Sequence, residues 1–278
     1  MYLQFYHLRE YPFSLGCDER FFYESAGHAE ALANMMYTVQ QRKGMVLITG
    51  EVGAGKTFVG RVLRTRLGPG FQVVLLQNPP QSGKQLLAGL CRQLSLTPPA
   101  GADKLMLAER LQEYLVSQHH RGRLVVLILD EAQGLSTAAL EEVRLLWNWE
   151  EEGQRLVQIV LIGQPELREA MREPRWEPLR QRIVLTYHLR NLSAEDTAAY
   201  VRHRLGVASE GQASVEFTPE ALQRVHQATD GIPRLINGVC DNALLVGYAR
   251  GTLHLDPSVV DEVLRTMTCW EMARGMSR

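Results

Sequence analysis

The chain has 278 residues, 45% of them hydrophobic and 22% charged, with a formal net charge of −1. That length and apolar content suffice for one large core or two ordinary ones. The near-neutral charge excludes a global attraction to nucleic acid or anionic lipid, so any polyanion must be held locally.

The opening "MYLQFYHLREYPFS" has no basic segment followed by an apolar one, and so does not read as a secretory signal. Further on, short β-rich runs alternate with longer helical stretches: "MVLITG" (45–50), "QVVLLQ" (72–77), "LVVLILD" (124–130), "VQIVLIG" (157–163) and "IVLTYHL" (183–189). Such runs, apolar without polar alternation, suit strands covered on both faces, as in a parallel sheet, and the alternation predicts an α/β fold. The longest strongly apolar run, "LVVLIL" from Leu124, is far too short to span a bilayer. Between strands, Ala139 to Glu150 reads as an amphipathic helix with Leu140, Val143, Leu146 and Trp147 on one face. Trp149 points elsewhere on that helix and reads as partly buried or as a contact surface. The pair His119-His120 is expected in a solvated loop. After Leu189 no comparable β-rich run follows. Ser193 with Asp196, Thr218 before Pro219, and "DPSVV" at Asp256 to Val260 are helix-start signals, so an all-helical domain is expected from near Asn191. Cys17, Cys91, Cys240 and Cys269 are scattered without a C-x-x-C pair, as reduced thiols of a cytoplasmic protein would be.

The junction after the first strand carries the chemistry. Gly50 to Thr57, "GEVGAGKT", fits G-x-x-x-x-G-K-[ST] between a strand and a helical "TFVGRVLRTRL". Glycines let successive backbone N–H groups surround phosphate oxygens, Lys56 reaches the β- and γ-phosphates, Thr57 coordinates Mg²⁺, and the helix N-terminus adds partial positive charge. Gly50, Gly53, Ala54, Gly55, Lys56, Thr57 and Phe58 are therefore the expected nucleotide-binding set. The strand "LVVLILDE" ends in Asp130, suited to hold Mg²⁺, and Glu131, suited to polarise the attacking water. At the next strand end, Gln164 would lie beside Asp130 if the two strands are neighbours, where it would orient water or sense the γ-phosphate. A plain strand-to-turn residue before Pro165 is the equal alternative. "LRQRI" offers Arg180 and Arg182, either of which suits a charge supplied to a neighbouring subunit's phosphate. A solvated basic surface is the other reading, since Arg172, Arg175 and Arg190 are near. Arg234, in "DGIPRLINGVCDNAL", starts a helix in the second domain.

Together these motifs resemble the AAA+ ATPases of the ExeA/GspA type, the general secretion pathway protein A family. The resemblance runs over almost the whole chain: "FYHLREYPFSLGCDERFFYESAGHAEAL", "GEVGAGKT", "LILDEAQGLS", "LIGQPELRE", "LRQRIVLTYHL", "YVRHRL" and "GIPRLIN" stand in the family's order. It implies a P-loop NTPase fold of ASCE type, a three-layer parallel sheet with a C-terminal helical lid. The expected parts are a leader at 1–30 packing on the ATPase core, a RecA-like nucleotide-binding domain at 31–190 and the lid at 191–278. It also implies ATP with Mg²⁺, Gln164 as sensor 1, Arg182 as the arginine finger of a homo-oligomer, Arg234 as sensor 2, and residues 22–28 near the adenine.

Secretion-type members continue into a transmembrane helix and a periplasmic region, whereas this sequence stops at Arg278. The expectation is thus a cytoplasmic ATPase, stand-alone or cut from a longer membrane protein, that drives assembly of a secretion or envelope complex. The alternative is an ATP-switched DNA-binding regulator of the MuB/TniB kind, its affinity resting on arginines such as Arg172 and Arg175. An NTP-binding scaffold without turnover is a third reading, disfavoured by the intact Asp130-Glu131 pair.

Overall fold

The computed structural model describes residues 2–275, with side chains described as far as Thr266. Two compact units emerge: residues 26–51 with 56–189, and residues 1–25, 52–55 and 190–278.

The first unit is built on a parallel sheet. Its strands are β1 (Met45–Gly50), β2 (Phe71–Leu76), β3 (Leu124–Leu129), β4 (Val157–Gly163) and β5 (Ile183–Leu189), in the order β2-β3-β4-β1-β5. The three central strands are buried at every residue, which is why their sequences are unbroken apolar runs. The edge strands β2 and β5 are only partly covered, and Val184 on β5 is 54% exposed. Successive side chains point to opposite faces. Leu47, Leu127, Ile159 and Leu161 join a core with Leu86, Leu90, Leu111 and Val143 from helices Gly83–Gln93, Lys104–His120 and Thr137–Trp147. The alternate residues Ile128 and Ile162 meet helix Lys56–Arg66, where Gly60 is a close-packing point: a Cβ there would lie 2.8 Å from Ile162. Helix Ala26–Gln40 covers this unit too, and three layers result.

In the second unit, helices Ala194–Ser209, Pro219–Thr229, Pro233–Arg250 and Pro257–Gly275 follow one another. Ser193 and Thr218 cap two of them through their side-chain oxygens, and Pro219, Pro233 and Pro257 occupy first-turn positions where no N–H is needed. Asp196 is one methylene short of the usual capping-box partner, and its carboxylate accepts from the Ser193 and Tyr23 hydroxyls instead. The unit is not purely helical, because Glu216–Phe217 pairs in parallel with His254–Leu255. Runs of two residues leave no periodic signature.

A larger correction concerns the leader. It was expected on the ATPase core, but residues 1–25 group with the helical unit, and Tyr2, Tyr6, Leu8, Phe13 and Phe21 are buried with Val201, Leu205, Ile236 and Leu244. The faces of the sheet are already covered by that unit's own helices, so the leader's apolar side chains complete the smaller core. Polar ties fix it there: the Tyr2 hydroxyl donates to Asp241 at 2.7 Å, and the Arg9 N–H to the Ala208 carbonyl at 2.8 Å. The stretch 22–28 contains the change from one unit to the other, at Ser25 and Ala26.

The His119-His120 pair is not in a loop; it ends helix Lys104–His120. Cys17, Cys91 and Cys240 are free thiols, and Cys269 lies outside the described side chains.

Candidate nucleotide site

Strand β1 ends at Gly50 because nothing larger fits: a Cβ there would lie 2.6 Å from the Leu189 carbonyl oxygen of β5. Beyond it, Gly53 and Gly55 have φ of +86° and +94°, a region open to glycine and strained for other residues. The turn delivers the chain into helix Lys56–Arg66, so the first N–H groups of an eleven-residue helix close the loop. Lys56 is 6% exposed and its Nζ donates to the Gly50 and Glu51 carbonyls at 2.8 and 2.7 Å. Ala54 is buried and Phe58 half-buried.

Strand β3 brings its acids to the same end of the sheet. Asp130 is 3% exposed, and its Oδ2 accepts from the Thr57 hydroxyl at 2.7 Å. Burial pushes the Asp130 carboxyl above its ordinary range, a rise opposed by hydrogen bonds from Thr57 and from the Glu131 N–H. Glu131 follows in the left-handed region with φ of 54°, uncommon for a side-chain-bearing residue. Strands β3 and β4 are neighbours, and the Gln164 side chain donates to Glu131 Oε2 at 3.2 Å. Gln133, not anticipated from sequence, donates to the same oxygen at 2.6 Å. Its only trace in the sequence is its place two residues after Glu131 in "DEAQ".

These residues suit Mg²⁺ and a polyphosphate. A hydroxyl and a carboxylate in contact make a hard oxygen pair, and the protonation-prone Asp130 would be relieved by a cation. Among the described residues no three His, Cys, Asp or Glu side chains converge as an all-protein metal cage would need. Mg²⁺ is normally held through one or two carboxylates with phosphates and water.

The arginines are placed differently. Arg182 precedes β5, and its carbonyl accepts from Met45 N–H at the start of β1, so it lies at the opposite end of the sheet from Gly50 and Asp130. A strand of this length separates them by about 20 Å. Its guanidinium donates to Asn148 Oδ1 at 3.3 and 3.2 Å and to the Pro178 carbonyl, and lies 5.4 Å from the Trp147 ring centroid. Arg155 stacks on the same ring at 4.2 Å, so half-buried Trp147 is both core and cation platform; Trp149 is half-buried against the same core. Arg180 is ion-paired with Glu177, whereas Arg182 makes no ion pair among the described residues. Arg172 and Arg175 pair with Glu169 and Glu173 at 2.6 and 2.7 Å. In the helical unit, which includes the loop tip 52–55, the Arg234 N–H donates to the Gly53 carbonyl at 3.3 Å.

Residues 39–171 match a family described as AAA domain. Over 252 residues the chain is 43% identical to general secretion pathway protein A of Aeromonas hydrophila, covering 91% of this chain and 46% of that protein. The chain spans less than half the length of the curated relatives it matches. Among solved structures, Cdc6p from Pyrobaculum aerophilum superposes with a TM-score of 0.71 at 16% identity, covering 92% of this chain and 70% of that one. The ORC2 protein of Aeropyrum pernix gives a TM-score of 0.66 at 20% identity, covering 86% and 67%. At such identities the structural likeness speaks for the fold alone, a P-loop AAA+ fold. The chain has the P-loop AAA+ fold with an AAA domain at residues 39–171, and over 91% of its length it is similar to a general secretion pathway protein A.

Proposed function

We propose that this chain is a Mg²⁺-dependent ATPase that self-associates, with nucleotide bound where one copy meets the next, and that turnover drives or regulates assembly of a secretion or envelope complex. The observation that carries the reading is the Thr57 hydroxyl 2.7 Å from Asp130 with Glu131 and Gln164 joined beside it. Backbone N–H groups of residues 53–57 and the Lys56 ammonium receive the phosphates, with Phe58 on the helix behind them. Thr57 and Asp130 would hold Mg²⁺, which when bound would neutralise phosphate charge. Glu131 orients the attacking water and accepts its proton, while Gln164 fixes the carboxylate and senses the γ-phosphate. Arg234, whose backbone N–H donates to the Gly53 carbonyl, is assigned the sensor 2 role.

Arg182 is assigned to the neighbouring copy's site. Its place at the far end of the sheet bars it from its own, and Arg180 is tied to Glu177 in an ion pair that Arg182 lacks among the described residues. The assembly role rests on the relative named for general secretion, of which this chain covers 46%. No helix among the described residues is long and apolar enough to cross a membrane, so a partner or a further segment would supply any envelope contact. Nothing specific favours the DNA-binding reading: the arginines it relied on are paired with neighbouring glutamates.

The test is phosphate release with and without Mg²⁺, combined with light scattering in ATP. Wild type should hydrolyse ATP only with Mg²⁺, and Arg182→Ala should lose about a hundredfold under conditions where wild type is assembled. Equal rates for the two would remove the shared site, and a monomer in every nucleotide state would remove self-association.

A further inference from the structure

The side chain of Gln133 is used at both ends. Its amide nitrogen donates to Glu131 Oε2 at 2.6 Å, and its amide oxygen accepts the backbone N–H of Gln164 at 3.0 Å. Gln164 closes the ring by donating from its own side chain to the same Glu131 oxygen at 3.2 Å. The backbone is shaped for this. Glu131 sits in the left-handed region, and the turn Ala132–Gly134 is closed by the Gly134 N–H on the Glu131 carbonyl at 2.8 Å, which folds residue 133 back beside residue 131. A second feature clears the way on the facing strand. Gly163 ends β4, and a Cβ there would lie 2.9 Å from the Gln133 amide oxygen and 2.7 Å from the Leu167 side chain.

We propose that Gln133 is a positioning residue that ties the Glu131 carboxylate to the end of β4, so that the carboxylate and Gln164 move as one group. This rests on the ATPase reading above. The chemistry requires glutamine: glutamate would set a second carboxylate against the first, asparagine is one methylene short of spanning both partners, and an apolar side chain donates nothing. Gln133 acts through Glu131.

The experiment measures kcat and KM for Mg·ATP in wild type, Gln133→Met, Gln133→Asn and Glu131→Gln. Gln133→Met keeps the volume and removes the hydrogen bonds. Its kcat should fall about tenfold with KM within about twofold. Gln133→Asn should recover little of the loss. Unchanged kcat in Gln133→Met, with Glu131→Gln inactive, overturns the inference and leaves the ATPase reading standing. A change confined to KM overturns it too. If Gln133→Met does not fold, Gln133→Asn decides by the same criteria. A wild type without Mg²⁺-dependent turnover defeats both.

Discussion

Arg204 in the helical unit and Asp130 in the sheet unit are both buried charged groups, and they are treated in opposite ways. In the helical unit Arg204, 3% exposed, is enclosed on every side: it donates to the Pro12 and Ser14 carbonyls and to the Tyr200 hydroxyl, with the Phe21 ring 4.9 Å away. Tyr200 passes the chain on to Asn237 at 2.8 Å. In the sheet unit Asp130 is equally buried, yet receives one hydroxyl and one N–H, and its carboxyl is driven upward by burial. A saturated buried charge holds a structure together, here the leader to its helices. An under-satisfied one is stabilised by what binds to it.

That contrast can be broken by substitution. The largest effect belongs to Lys56→Ala, which removes the only ammonium of the loop and should weaken Mg·ATP binding at least about hundredfold by calorimetry, leaving the fold intact. Arg204→Ala should do the reverse. Three acceptors lose their donor, at a cost of about 3 kcal/mol, which lowers Tm by roughly 6 °C or more in a scan. Asp130→Asn comes next and tests the sign. Because the folded carboxyl titrates above its ordinary value of 3.8, the unfolded chain loses its proton first, and stability falls as pH rises from about 4 through the raised folded value. The asparagine variant should therefore melt higher than wild type at pH 7 without nucleotide, with no gain at pH 3, while losing Mg²⁺-dependent binding. The smallest effect is expected for Asn148→Ala, which frees the Arg182 guanidinium: Tm should stay within about 1 °C and assembled turnover fall about threefold.

Where patterns are long the sequence is a sufficient guide. The five apolar runs are the five strands, with β2 displaced by one residue and β3 one residue shorter; for the three central strands the reason is that a strand buried on both faces tolerates little else. The placement of the glycine loop after β1 and of the two acids after β3 was legible because each directly follows an unbroken apolar run. Two kinds of feature were not. The leader's aromatics announce burial without saying in which core, and only a count of uncovered faces in the folded chain decides it. Gln133 was invisible since its partnership with Glu131 depends on one left-handed residue that no propensity signals. Arg180 and Arg182 look alike in sequence; an ion pair to Glu177 separates them.

The central claim is that Glu131 performs the chemistry in a site that the glycine loop and Asp130 assemble. It is tested most directly by Mg·ATP turnover of wild type beside Glu131→Gln, with nucleotide affinity measured on both. The account predicts a kcat at least about a hundredfold lower in the variant, with affinity within about threefold. Equal turnover in the two proteins, or turnover in wild type that survives chelation of Mg²⁺, would contradict it.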